Sequence, residues 1–429
     1  LDRPVLLSVG YSACHWCHVM AHESFEDQAT AAVMNALFVN IKVDREERPD
    51  VDHIYMSALH ALGQQGGWPL TMFLTPRGEP FWGGTYFPPD DRYGRPGFIK
   101  VLRSVHEFYQ SRKGEALEYG VRIMDALKAE VLEAGDLARE SLEQAKIAML
   151  KHFDAQHGGF GASPKFPMPG AFEFLLHQAA TGKDRTAENA LRTTLDAMAR
   201  GGFHDHLAGG FHRYSVDDAW FVPHFEKMAD DNAWLLRNYI DAYALLGEER
   251  YKDVADGIIR FVRSVLSDPA GGFFASQDAD VTPDDEGGYF TWTDEDFKRV
   301  LAIEEYEVLS LRFFHERGAL PHDRSKKVLC AARESGEIAG ALGKPEEAVT
   351  TIIARGREKL LAERKGRETP YVDRTLYTSL NGMFITSFFK AYRVLGDAGF
   401  RDFALKSLDR VLRERFICGA LCHTEGFPA

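Results

Sequence analysis

GYSACHWCHVMAHESFED, from Gly10 to Asp27, decides how the front of this chain folds. Ahead of it RPVLLSVGY (Arg3–Tyr11) is a short Val/Leu-rich run bounded by Pro4 and Gly10, the pattern of a buried strand. Behind the cysteines, VMAHESFEDQATAAVMNAL spaces its apolar residues at helical intervals. Cys14 and Cys17 therefore stand where a strand hands over to a helix. Unpaired backbone N–H groups and the positive end of the helix dipole favour thiolate over thiol at such a point. Two cysteines three residues apart there can also close a small disulfide ring.

CHWCH has rival readings. A CxxCH also attaches c-type haem, but haem fits badly between a buried strand and an amphipathic helix of an α/β domain. Zinc on Cys14, Cys17 and His18 or His22 would need adjacent ligands of one helix to converge, and no second CxxC follows. An idle, solvated dithiol is the plainest alternative. The residues favour a dithiol redox or thiol-binding centre, with no metal and no cofactor expected.

Further out, FVNIKVD (Phe38–Asp44) reads as a second buried strand and RPDVDHIYMSALHAL as a helix. GGWPLTMFLTPRGEP then places a Trp-Pro step before a third strand, Leu70–Leu74, and a turn at Pro76-Arg77-Gly78. GFIKVLRSVHEFYQSR closes the domain as a helix, which gives boundaries of 1–113. The order is that of a thioredoxin-like α/β fold. Together with GGWPLTMFLTPRGEPFWGGTYFP, the cysteine stretch closely resembles one thioredoxin-domain family, DUF255, related to the animal spermatogenesis-associated thioredoxin-like protein. The resemblance implies Cys14 as the exposed nucleophile, Cys17 as the resolving thiol and Pro69 as a cis-proline beside them. It also implies a partner carrying a thiol or disulfide, and charge on His15 would assist the thiolate. Thioredoxins carry a buried carboxylate six residues before the first cysteine; here that residue is Ser8, which leaves His15, His18 and Glu23 as substitute proton acceptors.

Residues 114–429 change character. Helical stretches alternate with Gly-Gly-aromatic turns at Gly158-Gly159-Phe160, Gly201-Gly202-Phe203, Gly209-Gly210-Phe211 and Gly271-Gly272-Phe273, with Gly287-Gly288-Tyr289 as a variant. Helical hairpins joined by such turns indicate a repeated αα unit. The pattern resembles an all-α (α/α)6 toroid, the barrel of N-acylglucosamine 2-epimerases and six-hairpin glycosidases. Fewer helices are readable than the twelve of a full toroid, so the barrel is expected either to hide some or to be incomplete at the C-terminus.

The polar loops of this half gather chemistry. His204, His206, His212 and His224 fall within twenty-one positions, near Asp205, Arg213, Tyr214, Glu226 and Asp231, and a QDAD run supplies Asp278 and Asp280. In a toroid these loops would rim one central cavity. Carboxylates and imidazoles among aromatic faces suit a carbohydrate or other polyol. A metal site on His204, His206 and His224 is an alternative, since HxH is a ligand spacing. Side chains that merely satisfy buried backbone groups are the plainer one. Three functions follow as expectations: a thiol–disulfide oxidoreductase, a carbohydrate-active enzyme with a regulatory thioredoxin-like domain, or a non-enzymatic binding protein.

Composition trims the field. The 429 residues carry 64 acidic against 51 basic side chains, net −13, which argues against a nucleic-acid or anionic-membrane partner. No apolar run approaches the roughly 18 residues of a membrane helix. Five cysteines make no disulfide framework, so a reducing, cytoplasmic setting is expected. Cys418 and Cys422 read as free thiols. Leu1 is not a natural start, and segments beyond either end of the chain are plausible.

Overall fold

The computed structural model describes residues 2–92, 94–128, 138–282, 285–424 and 427–428. Two compact units divide between Asp136 and Leu137.

The first unit is built on a four-stranded sheet in the order β2-β1-β3-β4. Its strands are β1 (Val5–Gly10), β2 (Val39–Asp44), β3 (Leu70–Leu74) and β4 (Pro80–Gly84). β1 runs parallel to β2, with Val5 opposite Val39, and antiparallel to β3, with Val5 opposite Leu74; β3 and β4 form a hairpin. The helices are α1 (His15–Met20), which runs into a π-helical turn over Ala21–Phe25, then α2 (Gln28–Leu37), α3 (Pro49–Ala61), α4 (Phe98–Ser111) and α5 (Lys113–Lys128). This is the thioredoxin-like topology.

Sequence pattern explains the layers. On one side of the sheet, Phe98, Val101, Leu102, Val105 and Tyr109 of α4 pack at helical spacing with Phe38 and Phe73. Ala58 and Leu59 of α3 cover Leu7, Val9, Leu70 and Met72 on the other. The two inner strands thus explain the unbroken apolar runs. FVNIKVD is different from expectation: β2 is the edge strand, and Val39, Asn40, Ile41 and Lys42 are all exposed. β4 was not legible, because Pro80, Gly83 and Gly84 obscure its pattern. Gly83 gives the Met72 side chain its room, since a Cβ would lie 2.4 Å from the Met72 sulfur. The sequence boundary at residue 113 leaves out α5, which packs on β4 and α3 as part of the first unit.

The second unit contains eleven α-helices among its described residues. They are α6 (Arg139–Leu150), α7 (Pro169–Gly182), α8 (Arg185–Arg200), α9 (Ala229–Leu246), α10 (Glu249–Ser264), α11 (Asp294–Val300), α12 (Ile303–Phe313), α13 (Ser335–Leu342), α14 (Glu346–Lys365), α15 (Thr378–Leu395) and α16 (Ala398–Arg415). The pairing is that of a toroid-like array. α7, α9 and α15 lie side by side as an inner row, and each packs on its own outer partner, α8, α10 or α16. α9 is accordingly buried nearly all round, whereas α10 buries one stripe through Tyr251, Val254, Ala255, Ile258 and Val262.

The Gly-Gly-Phe turns hold these hairpins together in a repeated way. Asn232, in the first turn of α9, receives the Phe211 N–H at 2.8 Å and donates to the Phe211 carbonyl at 2.9 Å. Asn381, at the same place on α15, brackets Phe273 with 2.8 and 3.1 Å bonds. Outer helices fasten the glycines: Gly159 N–H donates to Thr194 of α8 and Gly272 N–H to Ser407 of α16. Gly209, with φ +84°, has no room for a side chain, because a Cβ would sit 2.1 Å from the Gly257 carbonyl of α10.

Candidate functional site

In the first unit, Cys14 and Cys17 are joined as a disulfide, with Cα atoms 5.2 Å apart. Cys14 is the N-cap of α1, and its sulfur accepts the Cys17 N–H at 3.2 Å. The same N–H also donates to the Cys14 carbonyl at 3.0 Å, and its shared contact with the sulfur would favour negative charge on Cys14. Cys14 is 2 % exposed, and Cys17 is the more accessible of the two, which corrects the expectation of an exposed leading sulfur. Gly10 makes room beside β1, since a Cβ there would meet the Cys17 sulfur at 2.8 Å.

Trp68-Pro69 is a cis peptide, as the resemblance implied. The Trp68 ring packs edge-on against Tyr11 at 5.9 Å, lies under the Arg45 guanidinium at 4.3 Å and donates to Asp52 at 2.8 Å. Arg45 belongs to the charged run DREERPD (Asp44–Asp50), and its cation–π role is not visible in composition.

The substitutes for the missing carboxylate sort themselves. His15 is buried, with its ring 5.7 Å from Trp16, and His18 Nε2 lies 2.7 Å from the Ser12 carbonyl. Glu23 is committed elsewhere: the Tyr86 hydroxyl donates to it at 2.5 Å and Arg92 pairs with it. Burial pushes the Glu23 carboxyl up, but Arg92 and Tyr86 together outweigh that and hold it below the usual range. A carboxylate so held is a poor proton acceptor.

In the second unit the predicted residues do not rim one cavity; they separate into three groups. The first is carboxylate-rich. A small three-stranded ladder pairs Lys227-Met228 with Ser276-Gln277, and that in turn with Val372-Asp373. Because Lys227 stands opposite Gln277, Glu226 and Asp278 flank the same end of the ladder. His224 Nδ1 lies 3.8 Å from Glu226 and 3.1 Å from Glu286, and its ring is 4.8 Å from Tyr214. Arg213 pairs with Asp231 at 2.6 Å. Glu226, Asp278 and Asp280 are all buried. Burial first, then the Asp280 and Glu226 charges, push the Asp278 carboxyl up to about 8. One acid is thus kept protonated among neighbouring carboxylates, the arrangement proton-transfer chemistry requires.

The second group is structural. Asp205 receives Arg364 in bidentate fashion at 3.0 and 2.9 Å and Lys227 at 2.7 Å, all fully buried. His212 Nδ1 contacts the Phe225 carbonyl at 2.8 Å, between the Phe225 and Phe290 rings. The plainer reading holds for this histidine, and burial lowers it to about 3.

His204 and His206 form the third group. Their rings are 5.0 Å apart, and both line a cavity of about 750 Å³ that includes neither His224 nor the Glu226–Asp278 group. The three histidines weighed as a metal site therefore do not converge. Cys330 is a free, buried thiol that burial pushes up to about 12, and Cys418 and Cys422 are free as expected. Among the described residues no helix is long and apolar enough to cross a membrane.

Known proteins match this chain over nearly its whole length. Human spermatogenesis-associated protein 20 is 37 % identical over 97 % of the chain, and a Caenorhabditis elegans protein, B0495.5, is 38 % identical over 94 %. The chain spans 57 % and 59 % of those relatives, little more than half their length. Solved structures with likeness include a Salegentibacter alpha-1,6-mannanase variant, at TM-score 0.34 and 13 % identity over 59 % of this chain and 49 % of that one. Cellobiose 2-epimerase from Spirochaeta thermophila gives TM-score 0.28 and 16 % identity over 68 % and 91 %. The toroid-like assignment rests on the helix pairing described above. Residues 1–128 match the model described as Thioredox_DsbH, protein of unknown function, DUF255.

Proposed function

We propose that the protein is a thiol–disulfide oxidoreductase working through Cys14 and Cys17. The observation that carries this reading is the Cys14–Cys17 disulfide at the start of α1, with the Cys17 N–H aimed at the Cys14 sulfur. The structure is then the oxidised end of the cycle. In the reduced protein, the Cys14 thiolate attacks one sulfur of a substrate disulfide, and the other sulfur leaves as a thiolate and takes a proton. Cys17, deprotonated, attacks Cys14 in the mixed disulfide and releases the second substrate thiol. Two electrons pass from the protein dithiol to the substrate, and an added dithiol such as dithiothreitol restores the pair.

Insulin-disulfide reduction tests it. Cys14→Ser should fall to the uncatalysed rate, and Cys17→Ser should trap a mixed disulfide on Cys14. Full activity in Cys14→Ser would remove the assignment, and a trapped adduct on Cys17 instead would exchange the two roles.

A second reading concerns the Glu226–Asp278–Asp280 group: acid–base chemistry on a hydroxylated small molecule, a carbohydrate being the natural class. Its support is the protonated Asp278 beside Asp280. Sugar turnover or binding by the wild type that is lost in Asp278→Asn and Glu226→Gln would establish it; a panel of sugars that neither binds nor reacts would end it.

A further inference from the structure

The cavity lined by His204 and His206 lies between α8, α10, α12 and α14, apart from the carboxylate group. Its volume, about 750 Å³, is that of a small-molecule site. Five arginines line it: Arg200, Arg250, Arg260, Arg312 and Arg357. Three have protein partners. Arg250 pairs with Asp196 at 3.0 Å, Arg312 with Glu334 at 3.2 Å, and Arg200 reaches Glu334 at 3.6 Å.

Arg260 and Arg357 differ. Among the described residues neither guanidinium has a hydrogen bond or ion pair to the protein. Arg357 is half-buried, and burial together with Arg260 and Arg312 lowers its pKa. Holding a guanidinium in that setting costs stability unless something answers its charge.

The acids do not supply the answer. Asp205 is taken by Arg364 and Lys227, Asp196 and Glu334 by the arginines just named, and Asp253 is exposed at the rim. Asp256, one turn before Arg260 on α10, forms no ion pair with it. The imidazoles are turned away from the cavity. Both ring nitrogens of His204 are buried without a partner, although a neutral imidazole always has one N–H to give. His206 Nε2 is occupied by the Gly201 carbonyl at 2.9 Å.

We propose that this cavity binds a small organic oxyanion, a phosphomonoester or carboxylate on a hydroxylated body, held by the Arg357 and Arg260 guanidiniums. Arginine forks match the paired oxygens of both groups, and the volume leaves room for a body larger than the anion itself. Asp256 is placed to accept hydroxyls of that body.

Calorimetric titration of the full chain with glucose 6-phosphate, gluconate, glucose and inorganic phosphate tests this. The two sugar anions serve as probes of the phosphoryl and carboxyl arms. At least one is expected to bind, weakening as salt rises, with neutral glucose at least about tenfold weaker, since each lost tenfold corresponds to about 1.4 kcal/mol. Arg357→Met should cost tenfold or more, and Arg260→Gln, an exposed change that leaves the core intact, a smaller but measurable factor. If Arg357→Met does not fold, Arg260→Gln decides alone. No binding by any anion at millimolar concentration, or binding that both variants leave unchanged, would overturn the proposal. Loss of activity at Cys14 or Asp278 variants would leave these titrations unaffected, so failure here is distinguishable from failure of the oxidoreductase reading.

Discussion

The dithiol turn and the carboxylate group are built in opposite ways. Cys14, Cys17, Gly10 and the N-terminus of α1 are neighbours in sequence, and their chemistry follows from one strand-to-helix handover. Glu226 and Asp278 are fifty-two positions apart, and two-residue strands bring them together. The first site owes its properties to backbone geometry, the second to burial and like charge. Local sites tolerate loss of distant packing, whereas assembled ones depend on the buried network beneath them.

That contrast can be broken most directly at Cys14. Cys14→Ser should abolish disulfide reduction and leave thermal unfolding of the second unit where it was, measured by turbidity and calorimetry. A lowered second-unit transition would show that the turn is not the local device described here. The next largest effect is expected beneath the assembled site. Asp205→Ala strips the partner from buried Arg364 and Lys227, and breaking such a pair costs about 3–5 kcal/mol. Urea denaturation should show it, and a loss below about 1 kcal/mol would mean that the two cations find other partners.

The same contrast explains what was readable. β1, β3 and the helix after the cysteines were legible because apolar runs and helical spacing are local signals, and the cis Trp68-Pro69 bond followed from the resemblance. The edge position of β2 was not, because FVNIKVD is apolar enough for either place. The polar loops were recognised as chemically rich yet wrongly gathered. His204 and His206 were expected beside His224, but spacing along a loop cannot tell which side of a hairpin a residue faces. Arg357, half-buried on α14, carried no signal at all: in sequence it is one more charge on a charged helix. The Asn232 bracket stands on the helix that follows its Gly-Gly-Phe, but Asn381 is 108 positions from Phe273, so the repeat of the device was not legible.

Asp278→Asn sharpens the comparison through pH. The carboxyl is raised to about 8 in the folded chain, against 3.8 as its ordinary value, so the native state holds a proton that the unfolded chain releases. Stability is whole below pH 3.8 and is lost progressively as pH rises towards 8. The asparagine, which keeps a neutral group there, should therefore unfold later than the wild type at pH 9 by roughly 5 kcal/mol and match it near pH 3.5. Equal pH profiles would place Asp278 in contact with water and end its role as a held acid.

The smallest effect belongs to the first unit and runs the other way with pH. Tyr86→Phe removes the hydroxyl that donates to Glu23 and accepts from Arg92 at 2.9 Å. A hydrogen bond to a charged group in a partly exposed place contributes about 1 kcal/mol. Glu23 is held below the ordinary carboxylate range, so its share of stability is present above about pH 4.5 and fades as acid protonates it. Tyr86→Phe should accordingly destabilise the protein at pH 7 and hardly at all at pH 3. A loss of the same size at both would mean that Tyr86 acts through its ring, which lies 5.1 Å from Trp16, and not through the carboxylate. The ring contact is kept in phenylalanine, so the two contributions separate cleanly.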